Sequence, residues 1–338
     1  MVTEGYHLEF ERPIVELERR LAELRRVSRD NKKVNFSAEL LAMEHKLTQL
    51  KSATYASLTA WQRVQLARHP QRPFTLDYIQ LLFEGFVELH GDRLFGDDKA
   101  IVGGLATFEG QPLLVLGHQK GRDTKENLRR NFGSAHPEGY RKALRLMQLA
   151  AKRRLPILIF IDTPGAYPGI GAEERGQAHS IACNLREMMR LESPILIIVI
   201  GEGGSGGALG IGVGDRVCIL EHAYYSVISP EGCAAILWKD RKRAPEAAEA
   251  LKLTAQDLVK AGFVDESISE PLGGAHRDPS ATAAALKPVI RAFLEATRDV
   301  PPDILLQRRY QRFRRLGVYE DSVEHSLQTP RGEPSSHS

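Results

Sequence analysis

The sequence predicts an α/β protein with a largely parallel sheet, preceded by a pair of amphipathic helices. Two continuous apolar runs, Pro156 to Ile161 and Ile195 to Ile200, have strand length without alternation. Such runs fit strands buried on both faces. Each follows a helix-like stretch and ends in a loop rich in Gly or Pro. Buried strands alternating with helices indicate parallel pairing.

From the N-terminus, Ile14, Leu17, Leu21 and Leu24 recur at helical spacing. Leu40, Met43, Leu47 and Leu50 repeat the stripe after the polar stretch Ser28 to Ser37. Both are apolar faces of amphipathic helices. Residues 1–72 are expected to form a helical arm, packed on its own domain or gripping a partner subunit. The run His69 to Pro73 should end it, because each proline disfavours helix at the preceding residue. A helix is expected from Asp77 to about Leu89, then strands Ile101 to Phe108 and Leu113 to Gly117 around the turn Glu109-Gly110. Pro137 favours a helix start, so Glu138 to Arg154 should be helical. The strand Pro156 to Asp162, a helix of about Glu173 to Leu191 and the strand Ile195 to Ile200, ended by Gly201, follow. Arg216 to Leu220 reads as a strand, and Thr254 to Ala261 and Thr282 to Thr297 as helices. The main domain is expected over 73–300, a C-terminal helix over 301–317, and a disordered tail over 318–338, which is rich in Ser, Pro and His.

Composition bounds the function. Of 338 residues, 42% are hydrophobic and 26% charged, which excludes global disorder. No apolar run approaches the roughly 20 residues of a membrane span. The net charge of +3 does not indicate a dedicated nucleic-acid binder. Cys183, Cys218 and Cys233 lie far apart, so neither a metal site nor a disulfide framework is expected. With no signal peptide visible, a reducing, cytoplasmic setting is the expectation.

Parallel α/β proteins carry their sites at the carboxyl ends of strands. Two such ends are unusual, Asp162 to Gly171 and Gly201 to Gly210, and six of the 29 glycines fall in the latter. Clustered glycine implies special backbone angles or close approach of a ligand, and a helix start offers free N–H groups. Three readings compete. Gly201-x-Gly203-x-x-Gly206 matches a dinucleotide fingerprint, with Glu221 about 20 residues on, but it lies late in its domain. Gly203-x-Ser205-x-Gly207 matches the nucleophile elbow of hydrolases, with His222 or His276 as a downstream partner. The third is an oxyanion hole of backbone amides. Asp162 is expected to cap amides of its own loop. His118, His136 and His179 read as structural, and no P-loop or metal spacing appears.

The runs Gly117 to Gly121, Arg129 to Gly133, Phe160 to Gly169, Gly201 to Gly214 and Ser226 to Gly232 resemble the carboxyltransferase alpha subunits of bacterial-type acetyl-CoA carboxylase, over about Glu9 to Arg315. The resemblance implies a crotonase-like (ClpP/crotonase) spiral of ββα units. It implies transfer of a carboxyl group from carboxybiotin, carried on a biotin carboxyl carrier protein, to acetyl-CoA, giving malonyl-CoA for fatty-acid synthesis. A carboxyltransferase beta subunit in an α2β2 heterotetramer and a separate ATP-using biotin carboxylase are the implied partners. Gly206 and Gly207 would donate N–H groups to the biotin ureido oxygen. Gly165, Ala166, Gly204, Ser205 and Ala208 would line the biotin slot. Lys120, Arg122, Arg129 and Arg130 would meet CoA phosphates or a partner. No methionine precedes a lysine, so no biotin-attachment stretch is present. Alternatives are a crotonase-type hydrolase or isomerase of acyl-CoA and a non-catalytic scaffold.

Overall fold

The structure is a computed structural model and describes residues 6–30 and 36–317. The expected tail and the residues 31–35 lie outside the described residues.

The apolar stripes at the N-terminus pair with each other. Helices α1 (Arg12–Asp30) and α2 (Ser37–Ala56) run antiparallel, as shown by the ion pairs Arg25–Glu44 and Glu18–Lys51, both at 2.6 Å. Ile14 is buried with Leu8, Tyr55, Leu58 and Leu66, and Leu47 and Leu50 pack against this cluster. Leu66 belongs to α3 (Ala60–Ala67), so the hairpin rests on its own chain. The fully buried Glu11 ties the segment down: the Tyr55 hydroxyl donates to it at 2.5 Å and the Leu8 N–H at 2.9 Å. Burial alone would raise the Glu11 pKa, but contacts from His276, Tyr55 and the Leu8 amide hold it at about 2. This group therefore stabilises the fold above the ordinary carboxylate pKa, and the stabilisation is lost as pH falls toward 2. Tyr55→Phe is expected to cost about 1.5–3 kcal/mol at pH 7, the range for a bond to a charged acceptor. Urea unfolding should show this deficit shrinking in acid, and an unchanged midpoint at pH 7 would refute the tie.

Helix α4 (Thr75–Leu82) is shorter than expected. Phe83 is extended (φ −123°, ψ 157°), and Glu84–Glu88 forms strand β1 rather than helix. Gly85, at φ +62°, has a backbone that a helix cannot continue. Strands β2 (Ile101–Phe108) and β3 (Gln111–His118) form the expected hairpin, and β1 pairs antiparallel with β2. After α5 (Thr124–Arg129) and α6 (Pro137–Ala151), β4 (Ile157–Thr163) pairs parallel with β3. The long helix expected next is two, α7 (Ile170–Glu174) and α8 (Gln177–Met188), broken at Gly176 with φ +80°.

Strand β5 (Ile195–Gly204) runs past Gly201, where it was expected to end. A Cβ at Gly201 would sit 2.5 Å from Asp162 Oδ1, so glycine serves close packing there rather than a stop. Short helix α9 (Ser205–Leu209) follows, then β6 (Arg216–Leu220) and β7 (Tyr224–Ser226). Leu196–Val199 of β5 pairs with β6, whereas Glu202, Gly203 and Gly204 pair with Tyr224, Tyr225 and Ser226 of β7. The β4–β5 register slips between these halves, from Ile161↔Val199 to Thr163↔Gly203, as at a bulge.

The chain continues through α10 (Pro230–Trp238), α11 (Ala244–Leu251), α12 (Ala255–Lys260), β8 (Glu266–Ile268), α13 (Pro279–Thr297) and α14 (Pro302–Arg314). The sheet order is β1-β2-β3-β4-β5-β6-β8, with β7 beside β5. Its core holds the fully buried Ile159, Phe160, Ile197 and Ile198. Arg309 docks α14, donating to Asp215 and to the carbonyls of Met188, Leu191 and Ser193 at 2.7–2.9 Å. Among the described residues no helix is long and apolar enough to cross a membrane.

Candidate active site

The two glycine-rich strand ends meet. β4 leads into Pro164-Gly165-Ala166, and β5 leads through Gly203-Gly204 into Ser205-Gly206-Gly207 at the start of α9. A Cβ at Gly207 would lie 2.4 Å from the Gly165 carbonyl carbon and 2.5 Å from the Ala166 nitrogen, and one at Gly204 would lie 2.3 Å from the Pro164 oxygen. Backbone approach of this kind requires glycine. The opposite side is open: a Cβ on Gly165 would meet nothing within 4 Å, and one on Gly206 only Ile181 at 3.6 Å. The two backbones meet in a close-packed junction whose open face, at Gly165 and Gly206, is the candidate slot.

The amides of Gly206 and Gly207 lie in the first turn of α9, which closes with the Gly210 N–H donating to the Gly206 carbonyl at 2.9 Å. Groups in this position have no intrahelical acceptor and suit an anionic oxygen. The Gly165 N–H donates to the Thr163 hydroxyl at 3.1 Å. Gly204 and Ala208 are buried. The Tyr140 hydroxyl donates to the Gly207 carbonyl at 3.3 Å, a support that sequence reading missed.

Ser205 is exposed and holds φ +50°, a left-handed angle that is costly for a residue with a Cβ. Such strain collects at functional sites. No hydrogen bond joins Ser205 to a histidine among the described residues. His118 is fully buried behind Gly207 and lies against that residue's backbone. Burial, with Lys120 adding to it, pushes His118 down to about 3, so the ring is neutral. The nucleophile elbow therefore lacks its base.

Beneath the slot lies a buried ion network. Lys120 Nζ donates to Asp162 Oδ1 at 2.7 Å and Glu202 Oε1 at 2.8 Å. Glu202 Oε2 accepts from Arg68 Nε and the Tyr224 hydroxyl, both at 2.7 Å, and Arg68 continues to Glu231 at 2.5 Å. Burial alone would raise the Glu202 pKa, but Lys120 and Arg68 outweigh it and hold Glu202 at about 2. Burial likewise works against the Lys120 charge, yet Asp162 and Glu202 raise its pKa.

This network corrects two expectations. Asp162 does not cap its own loop. It accepts the Glu202 N–H at 2.9 Å together with Lys120, joining β4 to β5. Lys120 does not face outward, because two buried carboxylates require its charge. Arg122 stays exposed but is held at the surface, pairing with Asp77 and donating to the Pro70 and Arg72 carbonyls at 3.0 and 2.9 Å. Arg130 donates to Glu126 and the Lys99 carbonyl, whereas Arg129 is exposed. His136 is less solitary than its spacing suggested, lying 3.3 Å from Asp98 and stacked on Tyr167 at 4.0 Å. Glu202 was the readable clue to the network: a carboxylate inside a buried strand must find cations.

Comparison with known proteins agrees with this geometry. A family model described as "Acetyl co-enzyme A carboxylase carboxyltransferase-like" matches residues 7–317. The chain is 55% identical over 316 residues to the acetyl-coenzyme A carboxylase carboxyl transferase subunit alpha of Geobacter metallireducens, covering 94% of this chain and 99% of that one. It is 57% identical over 314 residues to the subunit of the same name from Thermus thermophilus, covering 93% and 99%. Among solved structures, a Pseudomonas malonate decarboxylase hetero-tetramer in complex with coenzyme A aligns with TM-score 0.57 at 16% identity, over 70% of this chain and 91% of that one. Transcarboxylase 12S aligns with TM-score 0.55 at 18% identity, over 67% and 41%. These two likenesses concern the fold, which is crotonase-like.

Proposed function

The chain belongs to the acetyl-coenzyme A carboxylase carboxyltransferase alpha-subunit family, and on that premise we propose that its slot holds the biotin ureido group during carboxyl transfer to acetyl-CoA. The observation that carries this reading is the seating of Gly207 against Gly165 and Ala166 at the start of α9, with open space beside Gly165 and Gly206. Carboxybiotin supplies an N-linked carboxyl group whose departure as CO2 leaves charge on the ureido oxygen, so that biotin can take the methyl proton of acetyl-CoA and the methyl carbon can add to CO2. The Gly206 and Gly207 N–H groups donate to that oxygen. A preorganised donor of this kind is worth about 2.7–4 kcal/mol. Gly165 and Ala166 wall the ring in, and the ion network fixes the two strand ends relative to each other. No acid–base pair of this chain is needed, in keeping with a neutral His118 and an unpaired Ser205.

On this reading a beta subunit supplies the second oxyanion site and most CoA contacts in an α2β2 assembly. A biotin carboxyl carrier protein brings the substrate, and a biotin carboxylase charges it with ATP. The setting is the cytoplasm, and the product malonyl-CoA feeds fatty-acid synthesis.

The test is malonyl-CoA formation from carboxybiotin by the chain co-expressed with a beta subunit. Ser205→Ala should retain activity within about tenfold, since a spectator hydroxyl is lost. A fall of about 10³-fold in the variant, together with a covalent acyl adduct on Ser205 of the parent, would replace this reading with a hydrolase.

A further inference from the structure

Helix α10 begins beside the slot and ends in a surface unlike the rest of the site. Ser226 of β7 pairs with Gly204 of β5, and the next residue, Val227, is 76% exposed. Nine residues of α10 then run about 14 Å at helical rise. At the far end Ile236 and Leu237 are 71% and 64% exposed. Lys239 reverses the chain at φ +54°, and Lys239, Arg241 and Lys242 all stand exposed. The acidic groups beside them are committed. Asp240 accepts the Lys242 N–H at 2.9 Å, and Glu246 pairs with Arg243, whose guanidinium lies 4.4 Å over the Trp238 ring. The turn is therefore braced, with three cations and two large apolar side chains directed away from the fold.

The surface is also tied to the site. Glu231, in the first turn of α10, receives Arg68 at 2.5 Å, and Arg68 holds Glu202 in the strand that carries the slot. A partner bound at the end of α10 is thus registered against Gly204 to Gly207 by one ion-paired chain.

We propose that Ile236, Leu237, Lys239, Arg241 and Lys242 form the docking surface for the protein domain that carries biotin, and that this domain presents an acidic face around its biotinyl lysine. The inference rests on the carboxyltransferase reading above. Two features select this occupant. A tethered biotin must reach the Gly204 to Gly207 strand end, whose pairing partner Ser226 leads into α10, which places its carrier on the neighbouring surface. Clustered cations around apolar side chains select a partner of opposite charge, chiefly through encounter rate and orientation.

The experiment uses the assembled alpha–beta complex in the reverse direction, with malonyl-CoA as carboxyl donor and two acceptors, free biotin and the biotinylated carrier domain. The charge-reversed variant Lys239→Glu/Arg241→Glu/Lys242→Glu should raise KM for the carrier at least tenfold while leaving kcat/KM for free biotin within about twofold. The milder Lys239→Gln/Arg241→Gln/Lys242→Gln should fall between parent and reversal. The parent's carrier KM should also rise with salt, and the reversed variant should lose that dependence. An unchanged carrier KM in both variants overturns the docking surface, as does a parallel loss with both acceptors. If the parent uses neither acceptor, the carboxyltransferase reading itself falls and takes the docking surface with it.

Discussion

Gly207→Ala is expected to lower carboxyl transfer by about 10²–10³-fold in a complex that still folds and assembles, the loss seen when one oxyanion donor is misplaced. The added Cβ would lie 2.4 Å from the Gly165 carbonyl carbon and 2.5 Å from the Ala166 nitrogen. Both neighbours are backbone, so no rotamer change relieves the contact, and the strand ends must separate. Gly206→Ala is the control, because its Cβ meets only Ile181 at 3.6 Å, an ordinary contact. It should cost less than about tenfold, well short of a full donor. Steady-state rates in the reverse direction, with free biotin and malonyl-CoA varied separately, would place the defect in the biotin half of the reaction. Equal rates for Gly207→Ala and the parent would remove this junction from the mechanism.

Lys120→Met should cost about 3–5 kcal/mol at pH 7, the usual penalty for removing one partner of a buried pair. Asp162 and Glu202 side chains are 2% and 8% exposed, so the change strands two carboxylates without their shared cation. The pH dependence has a definite sign. Glu202, held at about 2, contributes stability above its ordinary pKa and loses it as pH falls toward 2. Lys120, raised, contributes below its ordinary pKa and loses that contribution only beyond its folded value in alkali. In the variant Glu202 titrates higher, so its deficit should be largest near neutrality and should narrow in acid. Urea unfolding at pH 7 and at about pH 4 reads both effects. A variant as stable as the parent at pH 7 would show that the network is not a structural tie.

The strands that set the architecture could be read because β4 and β5 are buried on both faces and announce themselves as unbroken apolar runs. The two glycine-rich strand ends were equally visible as composition. Their contact was not, since the seating of Gly207 on Gly165 joins segments about 40 residues apart and leaves no local pattern. Strand β1 was misread because Phe83 and Phe86 continue the apolar spacing of α4, and only the extended angle at Phe83 ends the helix. Lys120 shows the same limit in electrostatics. Within the segment 120–130 it reads as one more surface cation, and its two carboxylate partners arrive from β4 and β5.

The double pairing of β5 has a consequence for how this enzyme can soften or diversify. One uninterrupted strand passes through the apolar centre against β6 and then, against β7, becomes the floor of the slot. Only the bulge in the β4–β5 register marks the change of duty, and β5 itself is continuous across it, so the strand end cannot be displaced without loosening the sheet. Local opening at this place belongs to the high-energy end of native fluctuations, unlike the lids that gate many enzymes. Adaptation to new acyl groups or carriers is therefore left to what hangs outside the strand, the loops and helix ends whose replacement leaves β5 untouched.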